Sequence, residues 1–146
     1  MPWYKNMKVQ IKRLHNDAIL PNYAHPGDVG MDLYSLEDCT LLPGKVHIFK
    51  MGFALEFPVG YAGIVKDKSS MGAKGITTVG GVYDAGYRGE YNVGLLNNTN
   101  TPFDIAKGQK IAQLILFPVA IATLEEVDEL SDTSRGTGAF GSTGKF

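Results

Sequence analysis

A glycine-bounded segment at residues 80–90 contains the side chains best suited to chemistry in this sequence. Asp84 offers a carboxylate that could hold a water molecule and accept its proton. Tyr87 lies three positions later and could pack against a sugar, while the nearby glycines let a ligand approach the backbone closely. An isolated aspartate in a turn more often hydrogen-bonds to its own backbone. Residue types alone therefore leave Asp84 as either a base or a turn residue.

Residues 68–72 (KSSMG) form a second candidate, for binding an anion. The hydroxyls of Ser69 and Ser70 and the free amides at a helix start suit a phosphate group, and Lys68 adds positive charge. Most such serines are simply surface caps of helices. On its own, this motif indicates a phosphate site only weakly.

Residues 131–146 are rich in Gly, Ser and Thr and contain only two large apolar side chains. Such a segment cannot form a core of its own, and chain termini are usually poorly ordered. Yet Arg135, Phe140, Ser142 and Thr143 supply a cation, an aromatic plate and two hydroxyls. These are the groups that a nucleotide needs, so the segment is either a disordered tail or a binding element.

The composition fits one domain and excludes several classes of protein. A chain of 146 residues can bury a core without disulfides or metals. Its 14 Lys and Arg against 15 Asp and Glu leave no basic excess for a nucleic-acid backbone, although a local site for a small polyanion stays open. The single cysteine, Cys39, cannot form an internal disulfide, which fits a reducing cytoplasm. Residues 1–7 lack the apolar stretch of a signal peptide, and the run 111–122 is too short and interrupted to span a bilayer.

Motifs of several other enzyme classes are missing from the sequence. His15, His25 and His47 are scattered and lack the spacing of a metal-binding pair. The sequence contains neither a Gly-x-x-x-x-Gly-Lys-Ser/Thr phosphate loop nor a Gly-x-Ser-x-Gly nucleophile elbow.

Short apolar runs separated by glycine and proline turns predict an all-β fold that positions these groups. One short helix is expected at residues 69–74, capped by Ser69 or Ser70 and ended by Gly75. The segment at residues 84–89 is expected to be the polar tip of a hairpin. Strands are predicted around Val9 and Ile11 and at residues 31–36, 46–57 (with Gly52 as a bulge), 61–66, 76–83, 91–97, 103–105, 111–117 and 122–127.

Five segments in order resemble the motifs of the trimeric dUTPase family. They are residues 27–35 (GDVGMDLYS), 68–72 (KSSMG), 81–90 (GVYDAGYRGE), 108–115 (GQKIAQLI) and 135–144 (RGTGAFGSTG). The resemblance runs from about Val9 to the C-terminus. The third and fifth motifs are close to diagnostic of the family.

This resemblance implies a jelly-roll-like β-barrel that assembles as a cytoplasmic homotrimer. The β domain would span residues 1–130, and a glycine-rich arm at 131–146 would close over a neighbouring subunit's active site. The implied reaction is Mg²⁺-dependent hydrolysis of dUTP to dUMP and pyrophosphate, which lowers dUTP and supplies dUMP for thymidylate synthesis. Neither a nucleic acid nor a membrane is expected as a partner.

The resemblance also implies a role for each matching residue. Asp84 would be the general base, and Tyr87 would stack under the deoxyribose and exclude a 2′-hydroxyl. Mg²⁺ would bind the triphosphate oxygens, with Asp32 as a supporting residue rather than a direct ligand. Backbone groups around Gly81, Val82 and Asn92 would read the uracil edge, and Phe140 would cover the uracil ring. The phosphates would be held by Lys68, Ser69, Ser70 and Gln113, and the γ-phosphate end by Arg135, Ser142 and Thr143. Tyr83 and Gly141 are also expected among the substrate-binding residues.

Three positions depart from the family's pattern. Lys68 stands where the second motif usually has Arg, so the charge is kept but the bidentate fork is lost. Ala139 replaces a common glycine, which would stiffen the arm. Asn92 stands at a position that is often Gly or apolar, and its side chain matters little if its backbone does the recognition.

Two alternatives remain at this point. A dCTP deaminase of the same superfamily would place a catalytic Glu in the hairpin, and Glu90 is a weak candidate for one. A non-catalytic regulator that kept the fold would be favoured by loss of Asp84, Tyr87 or Phe140, but all three are present.

Overall fold

A computed structural model describes residues 6–146 of the chain. The expectation about a signal peptide falls mainly on residues 1–5 and so lies outside the described residues. The described chain contains one short helix, α1 (Ser69–Gly72), and these strands: β1 (Gln10–Arg13), β2 (Met31–Tyr34), β3 (Cys39–Leu41), β4 (Val46–Lys50), β5 (Phe53–Glu56), β6 (Tyr61–Asp67), β7 (Ile76–Val79), β8 (Val82–Tyr83), β9 (Asn92–Asn97), β10 (Phe103–Ile105) and β11 (Lys110–Pro118). The predicted all-β class is confirmed.

The strands form two larger sheets and two strand pairs, and every named pairing is antiparallel. One sheet has the order β2-β11-β6-β8, and the other has the order β4-β9-β7. The strand pairs are β1 with β5 and β3 with β10. The two larger sheets bring distant parts of the chain together, because β11 lies between β2 and β6.

The core lies where the inward faces of these sheets meet. Phe49 and Leu95 of one sheet are fully buried, as are Ile111 and Leu114 of the other. Alternation places Leu95 and Leu114 inward, while Ile111 is buried at the register shift between Lys110 and Ala112. Each fully buried large apolar side chain contributes about 1.5–3 kcal/mol. This shared core fixes the position of the loops between the strands.

The helix forms in the expected place but differs at both ends. Lys68 occupies the N-cap position without a side-chain capping bond, so the prediction of a serine cap is wrong. The helix ends at Gly72, and the chain turns away at Gly75, whose φ is +79°. Ser69 and Ser70 are therefore first-turn residues whose hydroxyls remain exposed.

Three strand predictions are also corrected. Gly52, with φ of +73°, lies between β4 and β5, so the β-rich run at residues 46–57 contains two strands that pair with different partners, β9 and β1. The run at residues 76–83 is likewise divided into β7 and β8. Residues 122–127 form no strand and are exposed, although their apolar spacing suggested one.

No helix within residues 6–146 combines the length and the apolar character needed to cross a membrane.

Candidate active site

The hairpin at residues 76–97 opens because one of its two strands changes partner. β7 pairs with β9 from Ile76↔Asn97 to Val79↔Gly94. The chain then leaves β9, and β8 pairs with β6 instead. At the switch, Gly81 has φ of +102°, and its carbonyl oxygen accepts a hydrogen bond from Val65 N at 2.7 Å. A Cβ at Gly81 would lie 3.0 Å from Val65 Cβ, so both the backbone conformation and the close approach favour glycine.

Asp84 follows β8 directly and is exposed at the edge of this opening. Its backbone oxygen accepts a hydrogen bond from Tyr87 N at 3.1 Å, which forms the turn. Its carboxylate accepts no hydrogen bond from any residue that the structure describes, so the local aspartate turn that competed with a catalytic role is not formed. The carboxylate is therefore exposed and unpaired within residues 6–146.

Tyr87 is held at the hairpin tip by its neighbours. Its hydroxyl donates to Glu90 O at 3.0 Å, and its ring lies 5.5 Å from the Tyr83 ring. Gly89 makes room for this ring, since a Cβ there would lie 2.4 Å from Tyr87 Oη. Tyr87 is 39% exposed, so part of its surface remains accessible.

Arg88 stabilises the same turn from outside. Its guanidinium donates to Ala85 O at 2.7 Å and to Glu56 Oε1 at 3.1 Å. The two charged side chains are about half exposed, so this pair orients the tip more than it adds stability.

The hydroxyl of Tyr83 hydrogen-bonds to both backbone groups of Asn92. It donates to Asn92 O at 2.7 Å and accepts from Asn92 N at 2.9 Å. The Tyr83 ring stacks on Tyr91 at 3.9 Å, and burial raises the pKa of Tyr83, so the phenol stays protonated at neutral pH. The Asn92 groups expected to contact a base are thus occupied by the chain's own side chain.

Asp32 is buried between two lysines. Lys68 Nζ donates to Oδ1 at 2.7 Å, and Lys110 Nζ lies 2.9 Å from Oδ2 in an ion pair that lacks good hydrogen-bond alignment. Burial raises the pKa of Asp32, but the two ammonium groups outweigh it, so the pKa lies below its ordinary value. Asp32 therefore stays ionised and holds both lysines beside the sheet.

Gln113, in the fourth motif, lies opposite the first motif in the sheet. It pairs directly with Asp32 across β2 and β11, and its side chain donates to Asp67 O at 2.9 Å. A Cβ at Gly30 would lie 2.0 Å from Gln113 Oε1, which explains the glycine there. Because Lys68 follows β6 and β6 pairs with β11, the sheet brings together the residues expected at the phosphates.

The C-terminal arm has its own local structure. Arg135 Nε donates to Gly138 O at 3.0 Å, and Ser142 N donates to Ala139 O at 2.9 Å. Phe140 is fully exposed. A concavity of about 410 Å³ is lined entirely by arm residues: Arg135, Ala139, Phe140, Gly141, Ser142 and Thr143. The predicted arm residues therefore lie together.

The arm does not join the hairpin within one chain. In the described part of the chain, the hydrogen bonds of residues 120–146 are all internal to that segment, and none of the ion pairs involves it. Every residue from 119 onward is exposed.

Sequence reasoning missed Lys110 and the bond between Tyr83 and Asn92. Lys110 reaches Asp32 only because β11 pairs with β2, with a register shift between Lys110 and Ala112. No local sequence pattern predicts that register. For the contact between Tyr83 and Asn92, the sign in the sequence was the pair of tyrosines, Tyr83 and Tyr91, on the two sides of the hairpin.

Comparison with known proteins relates this chain to a protein family. The family described as dUTPase matches residues 16–144. The deoxyuridine 5′-triphosphate nucleotidohydrolase of Thermobifida fusca is 47% identical over 98% of this chain and 82% of its own length. The Clostridioides difficile protein of the same name is 44% identical over 93% of this chain and 97% of its own length.

Solved structures agree with the sequence relatives. The dUTPase of Staphylococcus bacteriophage 80alpha with dUpNHpp superposes with a TM-score of 0.88 at 28% identity, over 94% of this chain and 98% of that chain. A mutant dUTPase from phage phi11 of S. aureus, described as coordinating a structural Mg(II) ion, gives 0.80 at 25% identity over 86% of this chain and 99% of that chain. The fold, the ordered motifs and these relatives together show that the chain belongs to the dUTPase family.

Proposed function

We propose that this chain hydrolyses dUTP to dUMP and pyrophosphate, which lowers dUTP and supplies dUMP for thymidylate synthesis. The observation that carries the proposal is the unpaired Asp84 carboxylate at the edge of a hairpin held open by Gly81. Membership of the dUTPase family supports it, since the curated relatives bear that activity in their names.

The proposed step is a displacement at the α-phosphorus. A water oxygen attacks phosphorus while its proton passes to the Asp84 carboxylate, and the bond to the β-phosphate oxygen breaks to release pyrophosphate. A positioned general base of this kind contributes about 10²–10⁴-fold to a rate. Asp84 has the exposure and the freedom from other bonds that this role requires.

We assign base and sugar selection to the opened hairpin. Backbone groups at Gly81, Val82 and Asn92 would contact the uracil edge, and Tyr83 lines the same space. Cytosine would fail by hydrogen-bond mismatch and thymine by crowding, and a polar mismatch discriminates more strongly than a missing methyl group. The exposed side of Tyr87 would pack under the deoxyribose and leave no room for a 2′-hydroxyl.

We assign the phosphates to the sheet edge formed by β6 and β11. Ser69 and Ser70, with exposed hydroxyls, follow Lys68 along the chain, and Gln113, which lies opposite Lys66 in β6, donates to Asp67 O next to Lys68. Lys68 is bonded to Asp32 here, so its ammonium would contact the triphosphate either through its remaining hydrogens or by changing partner. A lysine in place of the family's arginine retains this charge.

The donor set does not build a metal centre from the chain alone. No cluster of three or more metal-ligating side chains occurs within residues 6–146, and both oxygens of Asp32 face ammonium groups. Mg²⁺ is therefore proposed to enter on the triphosphate oxygens of the substrate, where it offsets their charge. Asp32 then acts by holding two lysines rather than as a ligand.

We propose that the active unit is a homotrimer with shared sites. Residues 117–130 expose the large apolar side chains Phe117, Val119, Ile121, Leu124, Val127 and Leu130, which is the composition of an interface. In such an assembly the arm, residues 131–146, would cross to a neighbouring subunit. Phe140 would cover its uracil, while Arg135, Gly141, Ser142 and Thr143 would hold the terminal phosphate.

A cytoplasmic location is part of the proposal. The free thiol of Cys39 and a nucleotide substrate are both consistent with a reducing compartment.

The test is pyrophosphate release from dUTP, dCTP, dTTP and UTP, each with and without Mg²⁺. Rapid release from dUTP alone, and only with the metal, is the expected result. Ammonia release from dCTP would favour the deaminase alternative. Absence of turnover with all four nucleotides would favour a non-catalytic regulator.

A further inference from the structure

Tyr83 makes an unusual pair of hydrogen bonds inside the candidate base site. Its single hydroxyl satisfies both backbone groups of Asn92, donating to the carbonyl oxygen at 2.7 Å and accepting from the N–H at 2.9 Å. Neither group has a strand partner on that side of β9. A backbone pair left unsatisfied there would destabilise the hairpin, so Tyr83 replaces the missing strand.

Strand register shows that these two groups face the opened hairpin. Tyr91 directs its N–H and C=O toward Phe53 and Met51, on the side of β4 and β5. Backbone groups alternate along a strand, so Asn92 points the opposite way, as does Gly94, which pairs with Val79 of β7. β7 ends at Val79, and the space opposite Asn92 is therefore the space that the strand switch creates.

A phenolic hydroxyl offers there the same pairing as the edge of uracil. Uracil presents an N–H beside a carbonyl oxygen, so it would donate to Asn92 O and accept from Asn92 N. Resting on the proposed function, we propose that the Tyr83 hydroxyl is an internal placeholder for the uracil edge, which dUTP must displace in order to bind. A backbone N–H carries one hydrogen and cannot serve both partners at full strength.

The placeholder has two consequences for the site. It keeps Asn92 paired in the empty enzyme, so the opened hairpin does not close by extending the β7–β9 ladder. It also weakens nucleotide binding, because the base must break both bonds of Tyr83 before it makes its own. The Tyr83 ring stacks on Tyr91 at 3.9 Å, and this contact limits how the hydroxyl can move away from Asn92.

The test compares Tyr83→Phe with Tyr91→Phe. Both variants remove one hydroxyl from the same aromatic stack and keep the rings. Tyr91 Oη is buried and has no hydrogen-bond partner among residues 6–146, so Tyr91→Phe is the matched control. Tyr83→Phe is expected to lower the dissociation constant of dUMP and the KM for dUTP about tenfold, the worth of one to two net hydrogen bonds. Binding of inorganic triphosphate, which has no base, should not change.

If wild-type enzyme hydrolyses dUTP and Tyr83→Phe binds dUMP no more tightly than Tyr91→Phe, the placeholder is overturned and the proposed function stands. If wild-type enzyme does not hydrolyse dUTP, the proposed function itself fails.

A structure of wild-type enzyme with dUpNHpp supplies a second measurement that needs no variant to fold. The expected result is Tyr83 Oη beyond hydrogen-bond distance of Asn92 N and O, with the base in its place. Retention of the 2.7 and 2.9 Å contacts under a bound base would overturn the placeholder.

Discussion

The hairpin around Asp84 contacts several other parts of the chain, whereas residues 120–146 form hydrogen bonds only among themselves. β8 pairs with β6, Arg88 reaches Glu56, and Tyr83 reaches Asn92. The arm groups Arg135, Phe140 and Thr143 around a concavity without burying any of them. One chain therefore contains both the hairpin residues and the arm residues of the proposed reaction, but it does not bring these two sets together.

Loss of the Asp84 carboxylate should strongly reduce turnover. Asp84→Asn should lower kcat for dUTP by about 10²–10⁴-fold, because it removes the base and keeps the shape of the side chain. The measurement is pyrophosphate release at saturating dUTP, with a parallel determination of dUMP affinity, which should change little. Glu90→Gln on the same hairpin is the control and should retain turnover. Near-normal turnover by Asp84→Asn would show that Asp84 is not the general base.

Deleting residues 131–146 tests the other region. The truncated chain should keep its thermal unfolding temperature and its oligomeric mass but lose about a hundredfold in kcat/KM, because substrate positioning is lost. Calorimetry, light scattering and the pyrophosphate assay measure these together. A truncated protein that unfolds would show the arm to be structural and not a closing element.

Gly89→Ala tests the position of Tyr87 at the tip of the hairpin. The added Cβ would lie 2.4 Å from Tyr87 Oη, so the ring must move and lose its bond to Glu90 O. The preference for dUTP over UTP should fall about tenfold, measured as a ratio of kcat/KM values. Gly86→Ala is the matched control, since a Cβ there meets nothing within 4 Å. Equal preference in both variants would show that Tyr87 does not select the sugar.

Asp32→Asn has the smallest expected effect and acts on stability. Loss of the buried charge between Lys68 and Lys110 should lower the free energy of unfolding by about 1–2 kcal/mol in urea titrations. Asp17→Asn removes an exposed pair with Lys107 and should cost less than about 0.5 kcal/mol. The two variants differ in burial, so an equal loss would contradict the role given to Asp32.

The same carboxylate predicts a pH dependence. The pKa of Asp32 is lowered in the folded chain, so its stabilising contribution is fully present above the ordinary carboxyl pKa near 4. It should disappear as pH falls from there through the lowered folded-state pKa. Wild-type stability should drop more steeply than that of Asp32→Asn in this acid range, and parallel curves would contradict the assignment.

Local patterns predicted much of this molecule from sequence. The short helix at Ser69, the strands β6 and β11 and the hairpin around Asp84 follow from spacing and turn residues, because these are interactions between near neighbours. The lysines on Asp32 and the hydroxyl of Tyr83 on Asn92 were not predicted, because they depend on strand register and on one strand's change of partner.

The strand expected at residues 122–127 failed for a different reason. Its apolar spacing indicates burial, and a sequence does not say whether the burying surface belongs to the same chain. Leu124 is exposed here, and the proposed trimer would cover it.

In the proposed trimer, the hairpin of one subunit works with the arm of another, and mixed trimers provide the decisive experiment. Asp84→Asn chains and chains lacking residues 131–146 are co-expressed with different tags, and the mixed trimers are purified. Each variant alone should be nearly inactive. In each purified mixed trimer, one of the three sites combines an intact arm with an intact Asp84, so pyrophosphate release should recover to about a third of wild type. If the mixed trimers are no more active than the separate variants, the arm serves the hairpin of its own chain and the account is contradicted.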